Sequence, residues 1–63
     1  MENWVFEIGD VIKVDTVSVE GTSENDTFQV IDRDFDDDCN EFYTIERTSD
    51  QAVWEGVPLC AIL

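Results

Sequence analysis

Apolar and polar positions alternate along much of this chain with a period of two, and no stretch of useful length repeats at the spacing of an amphipathic helix. Val11 to Val19, VIKVDTVSV, is rich in β-branched residues and predicts a pleated, half-buried strand. Before it, Trp4, Phe6 and Ile8 recur at every second position, and Gly9-Asp10 supplies turn chemistry, so a short strand followed by a bend is expected there. Glu20 to Asp26, EGTSEND, concentrates residues that hydrogen-bond their own backbone and predicts a loop. Thr27 to Ile31 follows as a strand with Phe28 and Val30 on one face. Glu41 to Arg47, EFYTIER, predicts another, with Tyr43 and Ile45 on one face and Phe42 and Thr44 on the other. A turn is expected at Thr48 to Asp50 and a strand over Gln51 to Glu55. Gly56 to Pro58 should break that strand before a short apolar end, LCAIL, whose last residues supply a final strand. Short strands separated by regular turn signals predict an all-β fold, a small antiparallel barrel or sandwich of four to six short strands.

Length changes this picture little: 63 residues make a single domain, residues 1–63, with a thin core. Hydrophobic residues at 43% suffice for that core and argue against a disordered acidic tail. Charge changes it more, because sixteen acids stand against Lys13, Arg33 and Arg47, a formal net charge of −13. Residues 1–31 carry seven acids and one base (−6), and residues 32–63 nine acids and two bases (−7), so neither half offers a basic surface. Direct binding to nucleic acid or to an anionic membrane is therefore not expected. The first ten residues, MENWVFEIGD, lack the positive start and apolar run of a secretory signal, and the chain is expected to be cytoplasmic.

Candidate chemistry is narrowed by the absence of histidine and the presence of only two cysteines, Cys39 and Cys60. A four-ligand zinc site, a Cys–His pair and a Ser–His–acid triad all lack their parts. In a reducing compartment the two thiols are expected as small, partly buried apolar residues, although a disulfide between them is open.

The densest feature is DRDFDDDCNEF, Asp32 to Phe42. Against the calcium-loop pattern, Asp34, Asp36 and Asp38 supply the first alternation, but Cys39 stands where glycine is needed and Ile45 where glutamate is needed. No built metal site is expected, and no cofactor. Carboxylate pairs for glycoside hydrolysis are uninformative among sixteen acids, and so short a chain offers little pocket to desolvate one of them. Catalysis is not expected.

The phrase FEIGDVIKV, Phe6 to Val14, followed by a polar loop and further strands, resembles the Src-homology-3-type small barrels, including their KOW and Tudor-like relatives, in which a Gly-Asp step often opens the barrel. The resemblance implies a binding module without naming its ligand. The aromatic ALYDY-like motif of the peptide-binding members is absent, and the basic loops of the nucleic-acid-binding members are replaced here by acids.

Two readings of the charge stand side by side. In one, Asp32, Asp34, Asp36, Asp37, Asp38 and Glu41, with Phe35 as an apolar anchor, form a surface that imitates nucleic acid and occupies a basic protein partner. In the other, the acidity is a solubility adaptation to a salt-rich cytoplasm, and the partner is an unknown protein or peptide; the single lysine and the even spread of acids favour it.

Overall fold

The computed structural model describes residues 4–63. Four antiparallel strands, β1 (Val11–Ile12), β2 (Phe28–Phe35), β3 (Glu41–Arg47) and β4 (Val53–Pro58), form one sheet in chain order, and a 3-10 turn, η1 (Leu59–Ala61), follows. Among the described residues no helix is long and apolar enough to cross a membrane.

β3 occupies the span that its aromatic and β-branched residues predict, and Tyr43 and Ile45 face inward with Phe28 and Val30 of β2. These four side chains are fully buried; Ile12, Val14, Val19, Val57, Ala61 and Ile62 complete the core. Beyond η1 the backbone returns to the segment after β1: Val14 bridges Ile62, the Asp15 amide donates to the Ala61 carbonyl (2.8 Å) and the Leu63 amide to the Lys13 carbonyl (2.9 Å). The sheet thereby gains a second edge contact between its two ends, which covers an edge that is otherwise open.

Several elements differ from the sequence reading. The strand expected over Val11–Val19 survives only as Val11–Ile12 plus the bridge at Val14. Asp15 ends it: its backbone carbonyl accepts from the amides of Ser18 (3.1 Å) and Val19 (3.0 Å), and its carboxylate from the Val17 amide (3.0 Å) and the Ser18 hydroxyl (3.1 Å). This local side-chain capture outcompetes the β preference of the residues around it.

The segment with Trp4, Phe6 and Ile8 is not a strand. It runs as an irregular cover in which Trp4 and Phe6 pack on the core while Ile8 is exposed. Gly56 to Pro58 does not break β4, because Gly56, at φ 66°, absorbs an irregularity inside the strand. The closing apolar residues form η1 and a one-residue bridge in place of a last strand.

Candidate partner-binding face

The acidic run is not one turn between strands. Its first half, Asp32 to Phe35, belongs to β2, and only the residues from Asp36 to Asn40 form the turn. The register shift between Val30 and Asp32 matters here, because it leaves Ile31 as an extra residue. Phe28 and Val30 point into the core. After the bulge the phase reverses, so Arg33 pairs with inward Tyr43, while Asp32 pairs with Thr44 and Asp34 with Phe42 on the outer face. Without the extra residue, unbroken alternation would send Asp32 and Asp34 to the core side.

On that outer face Asp34, Phe42 and Pro58 form one cross-strand row, and Gln29, Glu46 and Val53 form another. Between them Thr44 stands opposite the Glu55–Gly56 irregularity of β4. A shallow depression of about 400 Å³ lies here, lined by Asp32, Asp34, Asp36, Phe42, Thr44 and Glu55 among others. Half-buried Phe42 and Thr44 line it beside the carboxylates, as do Arg33 and Phe35.

The turn beyond is built by Asp36. Its carboxylate accepts from the amides of Asp38 (2.8 Å) and Asn40 (2.9 Å) and from the Asn40 side chain (3.2 Å). The Asn40 amide above all, joined by the Asn40 side chain and the Asp38 amide, holds the Asp36 carboxyl below its ordinary value of 3.8. Asp37 and Asp38 project at the exposed tip, beside Cys39 in the left-handed region at φ 63°.

The structure separates the seven candidate residues into two groups. Asp32, Asp34, Asp36, Asp37 and Asp38 form a continuous exposed band from the outer face to the tip. Phe35 and Glu41 face the other way. Phe35 stacks on Trp4 with ring centroids 4.1 Å apart, and Glu41 accepts from the Tyr43 hydroxyl and, at 3.3 Å, from the Val5 amide. Both therefore fasten the N-terminal segment to the sheet. Glu46 and Glu55 join the acidic face; the parity of EFYTIER already marks Glu46 as a neighbour of Phe42 and Thr44, and alternation along β4 puts Glu55 with Val53 on the face opposite Trp54.

Both guanidinium groups are engaged by partners of their own, although Arg33 also lines the depression. Arg33 donates to the Phe6 carbonyl (3.1 Å) and to Glu7 (3.2 Å), with its guanidinium 4.6 Å from the Trp4 ring. Arg47 pairs with Asp26 (3.0 Å) and Asp50 (2.8 Å) and lies 5.0 Å from the Trp54 ring. Its hydrogen bonds to Asp50 and then Asp26 push the guanidinium's pKa above its ordinary value. In return the Arg47 hydrogen bonds, foremost, pull Asp50 from 3.8 down to about 2. Among the described residues no three acidic or thiol side chains converge as a metal ligand set.

No protein-family model, curated protein or solved structure matches the chain.

Proposed function

We propose that the chain is a non-catalytic binding module whose acidic face, Asp32 to Asp38 with Glu46 and Glu55, occupies the basic surface of a protein that otherwise binds nucleic acid. The observation that carries this reading is the Ile31 bulge, which turns Asp32 and Asp34 outward in line with the acidic turn while Arg33 is folded back under Trp4. Outward residues two apart on a strand stand roughly 7 Å from each other, a spacing comparable with that of neighbouring phosphates on a nucleic-acid strand. Charge of one sign over such a band steers a basic partner and fixes its register.

A second reading is favoured by the exposure of Glu7, Asp10, Glu20 and Glu24, which lie outside the band. Acids on every side fit a protein adapted to a salt-rich cytoplasm.

The experiment is competition. Basic nucleic-acid-binding proteins of the host are titrated with this chain in the presence and absence of duplex DNA, at several salt concentrations. Mutual exclusion with DNA, weakening as salt rises, is expected for at least one of them, and the Asp32→Asn/Asp34→Asn double variant should bind less tightly. Binding to none, or binding alongside DNA, overturns the proposal.

A further inference from the structure

The two cysteines lie 21 positions apart in sequence, and both are free and exposed. They nevertheless border the same depression, of about 480 Å³, together with Glu41, Phe42, Pro58 and Leu59. The strand register explains why. The β3–β4 ladder ends at the Phe42–Pro58 pair. Two residues beyond that pair are Asn40, in the hairpin turn, and Cys60, in η1, so the segments that carry the two thiols leave the same end of the ladder.

Cys39 also occupies a position that suits another residue better. The Cys39 amide donates to the Asp36 carbonyl (3.1 Å) and the Asp36 amide to the Asn40 carbonyl (3.1 Å), the pattern of a three-residue hairpin loop whose last loop position is left-handed. Glycine is the residue of choice there. Cys39 holds φ 63° at a steric cost, and the thiol is the one thing it supplies that glycine does not.

We propose that Cys39 and Cys60 are a redox pair that closes into an intramolecular disulfide when a low-molecular-weight disulfide such as oxidised glutathione is present. One deprotonated thiol attacks a glutathione sulfur, forms a mixed disulfide and expels one glutathione thiolate, which takes up a proton. The second protein thiol, its proton passed to water, attacks the protein sulfur of that mixed disulfide and expels the second glutathione. Two protein thiols are oxidised, and one glutathione disulfide is reduced to two thiols. The bond ties the acidic hairpin turn to η1, at the far end of the β3–β4 ladder, and so removes freedom from the turn and from the unfolded chain together.

The test equilibrates the reduced full chain with glutathione buffers of increasing oxidised fraction, quenches with an alkylating reagent, and reads mass and thermal melting. The expected product is monomeric, has lost two hydrogens, carries no glutathione, and melts higher by an amount on the order of 10 °C, which dithiothreitol reverses. Cys60→Ser and Cys39→Gly each abolish the shift and instead carry one glutathione; Cys39→Gly, which suits the left-handed position, keeps the fold intact as a control. A parent chain that takes two glutathiones, or that links to a second copy, shows that the thiols do not reach each other and overturns the proposal.

Discussion

At the scale of single residues, the side chains that hold this domain are polar groups with apolar partners. Tyr43 is almost fully buried, yet its hydroxyl bonds Glu41 and accepts from the Phe6 amide (3.3 Å), so the N-terminal segment is tied to the sheet through one ring. Burial first, and then the Glu41 hydrogen bond, raise its pKa above 10.0. A raised pKa in an acid means that the folded state holds the proton more tightly. That contribution to stability is whole below pH 10 and is lost as the pH climbs through the folded-state value. Tyr43→Phe should therefore cost about 1–2 kcal/mol at neutral pH, by leaving Glu41 and the Phe6 amide short of a partner, and should flatten the alkaline limb of a denaturation profile. A second expectation concerns Cys39. Under reducing conditions Cys39→Gly should stabilise by roughly 0.5–1 kcal/mol in urea melts, since it relieves the left-handed strain at the end of the hairpin loop. Gln51, at φ 61° in the next hairpin, shares that strain.

At the scale of elements, closure depends on few residues. Ile62 is 9% exposed and carries the bridge to Val14. Ile62→Ala should cost about 2–4 kcal/mol, a large share of what so small a core supplies, and calorimetry should show a sharply lowered midpoint. An unchanged midpoint would mean that the four-stranded sheet stands without its closing segment. How much of this was legible in the sequence follows from what kind of signal each element sends. Phe28 and Val30, and Tyr43 and Ile45, announce their faces because period two and burial agree. The stretch from Lys13 to Val19 misleads because β-branched composition reports only a propensity, while Asp15 captures its neighbours' amides through contacts that composition does not weigh. The Ile31 bulge is harder to read, because period two carried on from Phe28 and Val30 puts Asp32 and Asp34 on the core side, and nothing in the run of residues says where the extra one sits. It is nevertheless the feature that orients the candidate site. The residues of that site were visible as a run; their division into an outward band and an inward pair, Phe35 and Glu41, required the fold.

At the scale of the whole molecule, −13 on 63 residues adds charge self-repulsion to the conformational entropy that opposes compaction. Salt shortens the screening length from about 10 Å at 0.1 M to about 3 Å at 1 M, so the melting temperature should rise with potassium chloride. A binding module that works in an ordinary cytoplasm is already folded at about 0.15 M; a domain adapted to a salt-rich one gains most of its structure only toward molar salt. Protons relieve the same repulsion by a different route, because exposed carboxylates begin to neutralise as the pH falls toward about 4. Two groups act with the opposite sign. Asp50, at about 2, and Asp36, below 3.8, have lowered folded-state values, so their contributions are whole above pH 3.8 and are lost as the pH falls through the lowered ones. At low salt the stability should therefore rise from pH 7 to about pH 5 and collapse below about pH 3. In 1 M potassium chloride the rise should vanish, since long-range repulsion is already screened, while the acid collapse remains, since the Arg47–Asp50 and Asp36–Asn40 hydrogen bonds are local. Melting temperatures across this pH range at the two salt concentrations separate the terms: a low-salt profile that is flat between pH 7 and pH 5 would mean that the charge is spread too widely to strain the fold, and would leave the band from Asp32 to Asp38 as the part of that charge with work to do.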